Sequence, residues 1–206
     1  LGRDGDWIVE LNPETMPRVL VDTGFCESLR AKAPKKTDRE FLAENLASAN
    51  WLVKALKQRA HTILKASGEI VRRQDAFFRH GVIALRPMTL RDVAEVIEMH
   101  ESTISRVVNG KYIATPRGVL ELKSFFTAAI AGVGGGETSS ADAVRFKIRR
   151  LIEEEALDAI LSDNQIVALL KADGIEIARR TVVKYRKALY IPSSVQRRRQ
   201  KLALAS

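Results

Sequence analysis

Arg179, Arg180, Lys184 and Arg186 set four cations into the nine residues from Ala178 to Arg186, beside the hydroxyls of Thr181 and Tyr185. The chemistry open to that set is anion binding. A guanidinium fork matches paired phosphate oxygens and equally the O6 and N7 edge of guanine. Ala178, Val182 and Tyr185 recur at spacings of four and three, so a short helix here keeps one apolar face and wraps its cations around the rest. A thin apolar stripe with a cationic remainder suits the major groove of DNA. The competing reading is a basic helix whose charges are simply solvated.

A second candidate set lies upstream. Counted from Leu90, apolar residues fall at Val93, Ile97, Met99, Ile104 and Val107, with the small Ala94 at the fifth position. This is the pattern of a helix-turn-helix: the small residue lets two helices cross closely, and the apolar set fills the corner between them. Glu98 stands at the ninth position, where glycine is usual. The second helix then faces outward with Glu101, Ser102, Thr103, Ser105, Arg106 and Asn109, of which Arg106 alone can read guanine bidentately. Ser102 can cap that helix, and His100 at the turn fits a cap or a phosphate contact. A plain helical hairpin with no DNA role is the alternative.

Catalytic chemistry has no comparable footing. His61, His80 and His100 are scattered, and Cys26 is the only cysteine, so neither a metal set nor an intrachain disulfide is expected. A lone cysteine fits a reducing compartment. Gly134 to Gly136 lack the following lysine of a Walker-type phosphate loop. Glu153, Glu154 and Glu155 cluster at a helix end and read as solvated. Neither a cofactor nor an enzyme activity is expected.

Both sets need elements to hold them. The chain has 206 residues, 46% of them hydrophobic, and a formal net charge of +9. That allows one or two domains and favours a polyanionic partner, nucleic acid or an acidic membrane surface. Beyond Glu176 there is no Asp or Glu. No apolar run approaches the roughly 18 residues of a membrane span, and no targeting leader opens the chain. It begins at Leu1, so a fragment of something longer is expected.

The expected fold is mainly all-α. Trp7–Leu11 and Arg18–Asp22 have strand composition around an Asn12-Pro13-Glu14 turn, which predicts a short β-hairpin near the N-terminus. Thr37 and Glu40 form a candidate capping box for a long amphipathic helix, either one bent helix to about Arg79 or two meeting at Gly68. Trp51, Phe77 and Phe78 on it read as core. Thr115-Pro116-Arg117 predicts a further helix with proline in its first turn. Gly132 to Ser140 read as a flexible linker. After it, a helix through Val144 to Ile152, a capping box at Ser162 and Gln165, and a break at Asp173-Gly174 lead into a second helix-turn-helix ending in the cationic helix. Ile191-Pro192 stops that fold, and Arg197-Arg198-Arg199 read as a mobile phosphate-binding tail or as solvated charge.

The nine residues Ala178–Arg186 resemble the signature box of the bacterial sigma-54 factors, the nitrogen-regulation type of RNA polymerase sigma factor. Val183 replaces the family's alanine, and Lys187 stands where an acidic residue is usual. His100 to Arg106, Thr115-Pro116-Arg117-Gly118, the Gly134–Glu137 run with Ser139-Ser140, and Asn50-Trp51-Leu52 are similar to further family segments in the same order.

The resemblance implies promoter duplex DNA as partner, through elements near −24 and −12, with core RNA polymerase as the complex to be directed there. It assigns Arg179, Arg180, Thr181, Lys184, Tyr185 and Arg186 to the −24 element, and Glu101, Ser102, Ser105 and Arg106 to the −12 element. It implies residues 1–88 as a partial polymerase-binding region, 89–131 as the −12 region, 132–140 as linker and 141–206 as the −24 domain. It also implies cytoplasmic location, no membrane partner, and an ATP-hydrolysing activator that acts through a region not contained in this sequence. The remaining alternatives are a two-headed repressor and the DNA-binding half of a transposase or recombinase.

Overall fold

The computed structural model describes residues 5–15, 19–33, 35–136, 138–156 and 159–204. Packing divides the chain into two units, Leu1–Gly68 and Glu69–Ser206.

In the first unit the Asp22 carboxylate accepts the Phe25 N–H at 2.9 Å and caps α1, Thr23–Lys32, which buries no side chain. The hairpin expected over residues 7–22 does not form: 7–11 and 19–22 carry no strand, and 16–18 lie outside the described residues. Its turn does form, with the Glu14 N–H donating to Asn12 Oδ1 at 3.0 Å. Ile8 and Leu20 stay 66% and 87% exposed, and Trp7, Val9 and Leu11 are only half-buried, too little covered surface to hold an isolated pair of strands. Helix α2, Lys36–Arg73, starts earlier than the capping box implied, because the Lys35 carbonyl already accepts from the Arg39 N–H. Thr37 therefore lies inside its first turn. Trp51 is 70% exposed and is not core.

Helix α2 runs through Gly68 unbroken, and the break falls at Gln74, before α3, Asp75–His80. Gln74 is fully buried, and its amide both donates to the Arg86 carbonyl at 2.8 Å and accepts from the Arg86 N–H at 3.0 Å. Phe77 and Phe78 do enter the core, stacked edge-on or tilted against each other and Phe125.

The second unit continues with α4, Leu90–Val96, opened by a capping box between Thr89 and Asp92, and α5, Glu101–Val108. The helix expected at Thr115-Pro116 is instead an antiparallel hairpin of β1, Tyr112–Thr115, and β2, Gly118–Glu121, with Thr115 opposite Gly118. Proline's fixed φ suits a helix start and a turn equally. Gly118, at φ 109, and the Thr115 hydroxyl donating to the Gly118 carbonyl at 2.8 Å settle it as a turn. Arg117 at the tip donates to the carbonyls of Phe78 and Arg79 and so caps the end of α3.

The glycine run is tied at both ends, unlike the free tether expected. Strands β3, Ala129–Ile130, and β4, Ser139–Ser140, pair antiparallel. The Val133 N–H donates to the Gly174 carbonyl at 2.9 Å, and the Glu176 N–H to the Ala131 carbonyl at 3.1 Å.

Three helices then enclose one core: α6, Ala141–Glu153, α7, Asp163–Ala172, and α8, Arg179–Ala188. Val144, Ile148, Ile166, Leu170 and Val182 are fully buried there. The expected capping box at Ser162 and Gln165 is present. The last stretch is not a mobile tail: Ser194–Leu204 form α9, with Arg197 buried.

Candidate nucleic-acid interface

Helix α8 divides its residues cleanly. Val182, Tyr185 and Arg186 turn inward, while Arg179, Arg180 and Lys184 are exposed and Thr181 is half-buried. The Tyr185 ring lies 5.0 Å beneath the Arg145 guanidinium, a cation–π contact that fixes the ring inside the domain. Arg186 donates to both carboxylate oxygens of Asp163, at 2.9 and 3.3 Å, and to the Ile191 carbonyl at 2.9 Å. Tyr185 and Arg186, expected at the interface, are therefore internal braces. The signal was in the spacing: Arg186 follows Val182 by four and shares its inward face.

The exposed end of α8 is electrostatically incomplete. Its N-cap is Ala178, which supplies no side-chain acceptor, and its first turn has no acidic residue. Arg179 and Arg180 instead add positive charge to the positive pole of the helix. Neither they nor Lys184 has a side-chain partner among the described residues. An anion docked at this end would satisfy bare N–H groups and offset the repulsion together.

The first helix-turn-helix is built as its spacing implied. Val93, Ala94, Ile97 and Ile104 are buried in the corner, joined by Val108, while Met99 and Val107 are half-buried. Glu98 adopts φ 55, the left-handed conformation that explains why glycine suits its position. The cap of α5 is His100, whose Nδ1 accepts the Ser102 N–H at 3.2 Å; Ser102 also places its hydroxyl 2.8 Å from that nitrogen. Glu101, Ser102, Ser105 and Arg106 are all exposed, as expected. This surface is far less basic than α8. Arg91 is already taken by Glu95 at 2.7 Å, which leaves Arg106 as the one basic residue of α5, a helix with Glu101 in its first turn.

Two carboxylates have environments that sequence did not reveal. Asp92 is held below its ordinary pKa, chiefly by the Thr89 hydroxyl and then by the Thr89 N–H. Glu155 was read as solvated, yet its side chain is fully buried between Arg197 and Lys201. Burial there pushes its pKa up, but the Arg197 hydrogen bonds, the Leu161 N–H, the Arg197 charge and a hydrogen bond from Lys201 outweigh burial and hold it low. Glu153 and Glu154 do face solvent, paired with Arg149 and Arg150. Among the described residues no group of three or more His, Cys, Asp or Glu could hold a metal, and no helix is long and apolar enough to cross a membrane.

The model of the family "Sigma-54, DNA binding domain" matches residues 39–199. The chain belongs to the sigma-54 DNA-binding family. The RNA polymerase sigma-54 factor of Azorhizobium caulinodans is 58% identical over 205 residues, covering 100% of this chain and 40% of that protein. The RNA polymerase sigma-54 factor of Caulobacter vibrioides is 56% identical over 199 residues, covering 96% of this chain and 40% of that protein. The chain thus spans about two-fifths of the length of these sigma-54 relatives. The crystal structure of Aquifex aeolicus sigmaN bound to promoter DNA is similar over 96% of this chain and 58% of that one, with TM-score 0.64 and 33% identity.

Proposed function

We propose that this chain is the promoter-recognising part of a sigma-54 factor. Helix α8 enters the major groove of the guanine-rich −24 element, and α5 addresses the −12 element. The observation that carries the reading is the division of α8: an inner face locked by Val182, Tyr185 and Arg186, and an outer face of Arg179, Arg180 and Lys184 with no side-chain partner among the described residues. A helix locked on one side and cationic on the other can approach base edges without rearranging. Thr181 stands beside this face, and Glu101, Ser102, Ser105 and Arg106 form the corresponding outer face of α5. The relatives' name, RNA polymerase sigma-54 factor, and the neighbour's promoter complex support DNA and polymerase as partners.

The exposed Phe41, Trp51 and Leu52 of α2 are the apolar residues we assign to core polymerase. The protein acts by binding, without catalysis, in the cytoplasm. Residues 89–131 form the −12 region and 141–206 the −24 domain. Linking two reading units raises the effective concentration of each for its own element.

The test is a gel-shift series with duplexes carrying both elements, either one alone, or both at altered spacing. The reading expects tightest binding to the paired elements at native spacing. A complex insensitive to all these changes is non-specific and contradicts it.

A further inference from the structure

Helix α9 is held in an unusual way. Among its described residues the only buried side chain is Arg197, and no apolar residue of the helix is buried. Arg197 donates to the two carboxylate oxygens of Glu155 at 2.8 and 2.9 Å, to the Leu161 carbonyl at 2.7 Å and to the Pro192 carbonyl at 2.8 Å. Lys201, four residues on, donates to the Glu155 carbonyl at 3.0 Å and lies 3.3 Å from its carboxylate. Ser193 and Gln196 exchange hydrogen bonds at the start of the helix.

Burying an ion pair costs desolvation close to what the charges regain, so this lock is a poor substitute for an apolar face as glue. What it does achieve is a fixed position for a helix whose outer residues are charged. Arg197 and Lys201 share the inward face; Arg198 and Arg199 are turned from it by about 100° and 200° and are exposed. With no Asp or Glu beyond Glu176, and Arg186, Arg197 and Lys201 engaged internally, Arg179, Arg180, Lys184, Lys187, Arg198 and Arg199 are left facing solvent. Exposed cations carried on two successive ordered helices, with no acidic side chain after Glu176, fit a polyphosphate backbone longer than one helix can follow.

We propose that Arg198 and Arg199 form a site for the phosphodiester backbone of the same duplex that α8 reads, with Arg197 and Glu155 as the residues that position it. This inference rests on the reading of α8 given above. The site takes phosphate charge and carries no base information, so α9 contributes affinity and α8 contributes sequence preference.

The experiment is fluorescence anisotropy of the whole chain on a duplex with the guanine-rich element and on a scrambled duplex, across a salt series. The wild type, R198Q/R199Q and R198K/R199K are compared, with circular dichroism melts showing each variant folded. R198Q/R199Q is expected to weaken binding to both duplexes by the same factor and to reduce the slope of log K against log salt by about 1.8, two phosphates' worth. R198K/R199K is expected to keep the slope, because a phosphate needs only the charge. An unchanged slope in R198Q/R199Q overturns the α9 site, whatever α8 does. Loss of preference between the duplexes, or failure of lysine to restore the slope, also overturns it, because those results belong to a base-reading role. A wild type that does not distinguish the duplexes refutes the reading of α8 instead, and the salt slope still reports on α9.

Discussion

Replacing Asp163 by alanine separates a brace from a reader. Arg186 and Asp163 have side chains only 6% and 17% exposed, joined by two charge-assisted hydrogen bonds. The substitution removes both bonds and leaves the guanidinium with the Ile191 carbonyl alone. Removing one partner of a buried pair costs about 3–5 kcal/mol. The retained carbonyl and the partial solvent access of Asp163 place this case near 3 kcal/mol, including about 0.5 kcal/mol for a carboxylate lost from the first turn of α7. Urea unfolding of the whole chain measures it. The double variant D163A/R186M removes the orphaned charge and fills the space with an apolar chain. It is expected to fall within about 1 kcal/mol of the wild type. Folded R186M is expected to keep its preference for the guanine-rich duplex. The reasoning fails if D163A costs less than about 1 kcal/mol, or if the folded double variant binds DNA without that preference.

Other outcomes follow from the same geometry. Glu98→Gly relieves a left-handed non-glycine residue and is expected to raise stability by about 0.5 kcal/mol net, seen as a higher melting midpoint. Phe125→Ala removes a ring 1% exposed and stacked on Phe77 and Phe78, and is expected to cost about 3–5 kcal/mol by urea unfolding. The folded pKa of Glu155 lies below its ordinary 4.5, so its stabilisation is complete above that value and lost as pH falls through the folded one. An acid titration followed by helical circular dichroism should therefore show α9 released below pH 4.5, and Glu155→Gln should remove that step.

Local patterns were legible wherever the physics is local. The Ser162–Gln165 box, the corner residues Val93, Ala94, Ile97 and Ile104, and the inward Val182 all follow from spacing within one or two turns. What the sequence hid were partners far apart along the chain. Arg186 meets a carboxylate 23 residues earlier and Arg197 one 42 residues earlier, so both read as free charges in their basic runs. The Thr115-Pro116-Arg117-Gly118 turn is ambiguous in sequence because proline satisfies a helix start as well as a turn. The pairing of Tyr112–Thr115 with Gly118–Glu121 makes it a turn. Trp51 was read as core because helical spacing reports which residues share a face and not what covers it.

Promoter recognition as proposed depends on the outer face of α8 docking against base edges, and Arg180→Ala tests that most directly. Affinities of the whole chain for the guanine-rich and scrambled duplexes are measured at one fixed salt concentration. The expected result is a loss of about 1–3 kcal/mol on the guanine-rich duplex with little change on the scrambled one. An equal loss on both would make Arg180 a phosphate contact and contradict the account.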